Sequence, residues 1–330
     1  MTKMGRLTLG MTLLLMLSTA MTACGSGTNE PGEAVPTKTE QTQQRAQGEL
    51  EEKATRIVQD EFGEVTIPVH PQRIAGIYLE DYLLALGVKP IVQWYHPYWG
   101  TQEYLKLDAP LFDISGSLEA LLQQAPDLIL VDGAVDKEKY ELYSKIAPTY
   151  RLKEEALSST RNTITTIADV LGIPEKAEQV LSSYEHKVNE GRQKLQQAVG
   201  DETVAVVRIN IDDKSLALFG VHNSYTGVIY SEFGLKPVPM VADMTDYQMM
   251  LSEEAIPDLN ADHLILFPSN GDWSTADNQQ VFEVLDNPLW RSVPAVQKGN
   301  VYRFERSHWQ SGQITANSMK LDDLLQAMVK

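Results

Sequence analysis

A helical run without internal breaks over 175–199 separates two stretches in which short apolar strands alternate with short amphipathic helices. Within it Ala177, Val180, Leu181, Tyr184, Val188, Gly191 and Leu195 recur at three- and four-residue intervals, which puts them on one face of a helix. Upstream, an entry hairpin at 56–68 leads to a strand at 73–79, a helix at 80–86 closed by Gly87 and a strand at 90–93. A helix at 118–124, a strand at 127–131 and a helix at 137–146 follow. Downstream the rhythm resumes with segments at 204–209, 215–219, 227–233, 263–267 and 301–304 and a final helix at 316–328. Such alternation builds parallel sheets covered by helices on both faces. The expected fold class is therefore α/β, two doubly wound lobes with central parallel sheets joined by a single long helix. The lobes are expected at 56–160 and 200–330, with the bridging helical segment at 161–199.

Cys24 is the sole cysteine, so no disulfide, redox pair or cysteine-ligated metal is available, and the core alone must hold the fold. Its setting explains its presence. Lys3 and Arg6 precede an apolar run over 7–20 that is shorter than the roughly 20 residues needed to span a bilayer, the pattern of a secretory signal. The Met21-Thr22-Ala23-Cys24 ending resembles the bacterial lipobox, which implies a signal peptide at 1–23 and a lipidated Cys24. Two acyl chains give stable membrane attachment. Residues 24–55 are rich in Gly, Pro, Thr, Gln and Glu and read as a flexible tether. The net charge of −17, with no basic stripe to offset it, argues against nucleic acid and suits a solvated, exported protein.

An internal echo links the two halves. Ser117-Leu118-Glu119-Ala120 with Asp127-Leu128-Ile129-Leu130 parallels Ser252-Glu253-Glu254-Ala255 with Asp262-His263-Leu264-Ile265 at one offset, 135 residues. Each copy reads as a serine N-cap, a carboxylate in the first helical turn, a short helix and an aspartate opening a buried strand. Glu119 and Glu254 either stabilise their helices through the helix dipole or project as equivalent acidic knobs that dock on arginines of a partner.

The run Trp94-Tyr95-His96-Pro97-Tyr98-Trp99-Gly100 places four large aromatics in sequence that reads as loop. Tyr225, Tyr247, Trp273 and Trp309 also fall in loop-like sequence. Rings with polar tips serve either a core or a shallow pocket for a bulky, partly apolar ligand with several oxygens. Arg208 ends the apolar strand Val204-Ala205-Val206-Val207, where it needs an acceptor, either a ligand oxygen or a carboxylate such as Asp212. The six histidines are scattered with no metal-ligand spacing, and no P-loop, G-x-S-x-G or G-x-G-x-x-G occurs. No metal site and no catalytic residue is indicated, so the chain reads as a binder, not an enzyme.

With RIVQDEFGEVTIPVHPQRIAGI, YLLALGVKP, SLEALLQQAPDLIL, LSEEAIPDLNADHLIL and VYRFERSHWQSGQITANSMKLDDLL in this order, the chain from about Arg56 onward resembles the iron-siderophore substrate-binding lipoproteins of bacterial ABC importers. The resemblance implies a ferric siderophore held between the lobes and delivered to a membrane permease dimer by a monomeric protein. Glu119 and Glu254 would dock on that permease. It also implies that no cofactor is bound, the iron travelling inside the siderophore. Ligand contacts are expected from Trp94, Tyr95, Tyr98, Trp99, Arg208, Tyr225, Tyr247, Trp273, Arg306 and Trp309. Arg208, Lys214 and Arg306 are few cations for a trianionic catecholate complex, which favours a hydroxamate or mixed citrate-hydroxamate ligand. Cobalamin or haem, with His96 or Tyr98 as an axial group, and a surface lipoprotein without a transport role are the alternatives. The expected location is the outer face of a cell membrane of Gram-positive type.

Overall fold

The computed structural model describes residues 54–329 apart from 211, 214, 276–278 and 280–286. The signal, Cys24, Lys214 and nearly all of the tether lie outside the described residues.

The entry hairpin pairs β1 (Thr55–Gln59) with β2 (Glu64–Pro68), Val58 opposite Val65. Its turn is closed by Asp60, whose Oδ1 accepts the N–H groups of Phe62 and Gly63, while glycine supplies the positive φ of 134°. β3 (Ile74–Ile77), β6 (Leu128–Val131) and β7 (Thr149–Arg151) form the parallel sheet of the first lobe. A parallel pair, β4 (Gln93–Tyr95) with β5 (Leu111–Asp113), extends from it, with Ile91 N–H donating to Ile74 O at 3.0 Å.

In the second lobe β8 (Thr203–Ile209), β12 (His263–Pro268) and β13 (Val301–Arg303) run parallel, with β10 (Lys236–Pro237) beside the start of β8. Here the sheet departs from the expected parallel pattern. β9 (Leu216–Phe219) runs antiparallel to β8, and β11 (Gln248–Leu251) antiparallel to β9. The connection from Ile209 to Leu216 is too short for a crossover, and such a connection permits only an antiparallel return.

The echo is a structural repeat. Asp127 N–H donates to Arg73 O and Asp262 N–H to Thr203 O, at 2.9 and 3.0 Å. Each carboxylate in turn caps the neighbouring strand: Asp127 accepts from Gln72 N and Arg73 N, and Asp262 from Thr203 N. Ile129 sits opposite Ala75, as Leu264 sits opposite Ala205. Even the left-handed residues correspond, Ala125 at φ 44° and Asn260 at φ 39°. The helices differ, however. Glu119 opens a true helix, α2 (Glu119–Gln123), which follows α1 (Glu80–Ala85), whereas Glu254 lies in a single 3-10 turn; neither expected serine cap forms, since Leu118 is the N-cap position of α2 and Ser252 makes no side-chain cap. Pro257 supplies no N–H to continue that turn as an α-helix.

The first lobe adds α3 (Lys137–Ser144) and leads through α4 (Thr160–Leu171) to the bridging helix α5 (Pro174–Val199). Ser159 caps α4 through Asn162 N, so the helix starts three residues before the expected 163. Proline at the first position of α5 lacks only an N–H that would have no partner there. At 26 residues α5 is about 39 Å long.

Strand alternation sorts the side chains into three cores. Val204, Val206, Ile265 and Phe267 join Ile74, Leu128 and Leu130 of the other lobe in one continuous cluster against Leu181, Tyr184, Val188 and Leu195 of α5. The alternate residues Ala205, Val207, Leu264 and Leu266 face an outer core of the second lobe, and Ala75, Ile77, Ile129 and Val131 one of the first. The second lobe also carries α6 (Val228–Ser231), α7 (Pro239–Ala242), α8 (Pro294–Lys298), α9 (Arg306–Trp309) and α10 (Ile314–Met328). α10 packs on both α5 and α1, so it too joins the lobes.

Candidate functional site

The strands that carry the echo end on the same hollow. Ile77 and Tyr78 at the end of β3, Asp132 after β6, Arg208 and Asn210 at the end of β8 and Ser269 after β12 line a cavity of about 530 Å³ between the lobes. In open α/β sheets, ligands sit at the carboxyl ends of the strands. The volume falls within the range of small-molecule pockets.

The first-lobe wall is aromatic. Trp94 stands edge-on to Tyr78 with centroids 5.0 Å apart, and His96 stacks on Trp99 at 4.2 Å and on Trp94 at 6.3 Å. The wall is held from beneath by Glu80, which accepts the Trp94 N–H at 2.5 Å. Burial pushes the Glu80 carboxyl up to about 8.

The second-lobe wall is polar and charged, with Arg208 and Arg306 beside Asp212 and Asp213. Arg208 donates to Asn210 Oδ1 at 3.1 Å and to Gln310 Oε1 at 3.4 Å, and its guanidinium lies 5.3 Å from the centre of the Phe219 ring. Its fixed partners are amide side chains and a ring face, not the Asp212 carboxylate considered from the sequence. Arg306 donates to Ser269 O at 2.7 Å. Desolvation lowers the pKa of both arginines from the ordinary arginine value. Tyr225 completes this wall. Its carbonyl accepts from the buried Lys320, whose three hydrogens also match Ser311 O and Asn317 Oδ1.

Two sets of bonds cross the cleft. At the mouth, the loop after β4 reaches the second lobe: Tyr98 OH donates to Asp212, Asn270 donates to Tyr98 O at 3.0 Å, and Arg306 to Trp99 O at 3.3 Å. At the floor, Tyr78 OH donates to Gln310 O and Gln313 donates to Tyr78 O. Asp81 accepts Thr315 N and Ala316 N at the start of α10. Tyr78 holds φ at 61°, a left-handed conformation that bulky residues rarely adopt.

This is the architecture of a solute trap, and residues 112–306, more than half of the chain, match the family model described as periplasmic binding protein. The chain belongs to the periplasmic binding protein family. The probable siderophore-binding lipoprotein YfiY of Bacillus subtilis is 26% identical, with 94% of this chain and 95% of the relative covered. The iron(3+)-hydroxamate-binding protein FhuD of the same organism is 29% identical, with 88% of each chain covered. Among solved structures, that of BSU3320 from Bacillus subtilis is described as a periplasmic binding protein component of a Fep/Fec-like ferrichrome ABC transporter. It superposes with a TM-score of 0.68 at 25% identity, over 83% of this chain and 100% of that one.

In this periplasmic binding protein the cleft gathers six of the ten residues expected to contact ligand: Trp94, Tyr98, Trp99, Arg208, Tyr225 and Arg306. The other four lie elsewhere. Trp309 is 0% exposed, stacks on Phe304 at 4.6 Å and donates its Nε1–H to Asp323, so it is a core residue of the second lobe. Trp273 packs on the outer core of that lobe and donates to Phe304 O. Tyr95 alternates with Trp94 along β4 and therefore faces away from the cavity. Tyr247 is 57% exposed just before β11 and does not line the hollow. Tyr78, Asp132, Lys139, Tyr143 and Gln310, which are not among the expected contacts, also line it. Position at or just past a strand end was the available signal for Tyr78 and Asp132. Glu119 and Glu254 are both exposed at equivalent places in the two lobes.

Proposed function

We propose that this chain is the extracytoplasmic solute-binding component of an ABC importer, and that it clasps a ferric siderophore between its lobes and hands it to the permease. The observation that carries this reading is the interlobe hollow itself, walled on one side by Tyr78, Trp94, Tyr98 and Trp99 and on the other by Arg208, Arg306 and Tyr225. Rings offer apolar area with little ordering cost, and guanidinium groups hold the oxygens of a chelate. The relatives named for siderophore and iron(3+)-hydroxamate binding support it.

Two arginines suit a hydroxamate or mixed citrate-hydroxamate complex better than a trianionic catecholate. The iron is cargo inside the chelate, and binding rather than catalysis is the task. Haem finds less support, because His96 is sandwiched between Trp94 and Trp99 and Tyr98 already gives its hydroxyl to Asp212. In this reading Cys24 carries the lipid, the protein works as a monomer on the outer face of a Gram-positive membrane, and Glu119 and Glu254 meet the permease. Titration of tryptophan fluorescence with ferric hydroxamate, citrate and catecholate complexes tests it. Saturable quenching, strongest with the hydroxamate or citrate-hydroxamate class, is expected. No response to any ferric complex would overturn the reading.

A further inference from the structure

The end of the cavity that belongs to the first lobe has a chemistry of its own. Asp132 follows β6 directly and lines the hollow, and its Oδ1 accepts the Ala134 N–H at 3.0 Å. The backbone N–H of Asp132 itself also supports the carboxylate. Arg151 stands behind it but is engaged by Glu154, Glu61 and the carbonyls of Gly133, Val135 and Leu152. Lys139 lines the same end, yet its Nζ donates to Ile114 O at 2.6 Å.

Beside Asp132 lies Tyr143, which is 0% exposed, lines the cavity and, among the described residues, carries a hydroxyl without a hydrogen-bond partner. A buried polar group without a partner costs about 1–3 kcal/mol, which a ligand group can recover. Burial also raises the pKa of Glu80, which Asp132 raises further. Burial raises Asp132 to about 6. The opposite wall brings the Arg208 and Arg306 guanidinium groups to the cavity, together with Asp213 and with Asp212, which is engaged by Tyr98.

We infer that the Asp132 and Tyr143 end of the cleft is a subsite for a cationic amine, so that the cargo is a ferric chelate with a free ammonium arm. This rests on the ferric-chelate reading above. The iron-bearing, oxygen-rich part faces Arg208 and Arg306, while the ammonium donates to the Asp132 carboxylate and to the Tyr143 hydroxyl oxygen. The apolar Ile77 and Val135 beside it accommodate the methylene arm.

The test compares ferrioxamine B, a linear ferric tris-hydroxamate with a free primary amine, with its N-acetyl derivative by fluorescence titration of the protein. At least tenfold tighter binding of the amine form is expected, and the ratio of the two dissociation constants should collapse towards one in Asp132→Asn. That variant keeps the oxygen that takes the Ala134 N–H. Tyr143→Phe removes the Tyr143 hydroxyl and should narrow the ratio a few-fold. Equal binding of the two chelates by the native protein would overturn the subsite while leaving the ferric-chelate reading in place. So would a preference that survives Asp132→Asn, or no binding of ferrioxamine B when another ferric complex binds. Failure of every ferric complex to bind would remove both.

Discussion

Arg208 owes its place to the strand that carries it: four apolar residues of β8 lead into a guanidinium that the fold steadies with Asn210, Gln310 and the face of Phe219. Replacing it with alanine should weaken chelate binding by about 10- to 100-fold, the range for a partly buried charged hydrogen bond of roughly 1.5–3 kcal/mol, measured by titration. Asp262 illustrates the opposite use of charge. The Thr203 N–H, and after it Lys298, hold its carboxyl down at about 2. A depressed carboxylate contributes stability above its unfolded pKa and loses it as pH falls through the folded one. Asp262→Asn should therefore lower stability by roughly 1 kcal/mol at pH 7, most of the shift being screened at this half-exposed site, and the difference in Tm should fade between pH 4 and 2. Residue types announced the site better than positions did. The aromatic run after β4 marked the cleft, but Trp309 and Trp273 read alike in sequence and are held in the second lobe by Phe304. No local pattern distinguishes a ring that packs on a distant strand from one that faces a hollow.

At the scale of elements, the long helix and the alternation of strands with helices were legible because apolar period and punctuation agree there: Gly87 ends α1, and Gly172 and Pro174 separate α4 from α5. The antiparallel return of β9 was not, since a short apolar strand looks the same in either direction. Nor was the way α10 crosses to α1, which depends on Asp81 meeting the start of a helix more than 230 residues later. The close approach of α5 and α10 depends on Gly191, where a side chain would meet Leu321 at 2.7 Å. Gly191→Val should cost about 1–3 kcal/mol through overpacking. The check is a thermal melt, with Tm expected to fall by roughly 3–10 °C.

At the scale of the whole molecule, one core runs from the first lobe through the bridging helix into the second, while bonds cross the cleft at both floor and mouth. Such a frame permits small rocking of the lobes and resists wide opening. It also holds the two equivalent acidic positions rigidly apart. Charge reversal at Glu119 and Glu254 together should abolish cellular iron uptake and leave the affinity for the chelate within about twofold; a matching loss of affinity would place those carboxylates in the cargo site rather than on the docking face. Whether a chelated iron is clasped between the lobes can be read from the anomalous scattering of iron in crystals grown with a ferric siderophore. One iron peak is expected in the hollow between Trp94 and Arg208, wrapped by the chelate and touched by no protein atom. A peak outside the cleft, or iron ligated by a histidine or tyrosine side chain, would contradict it.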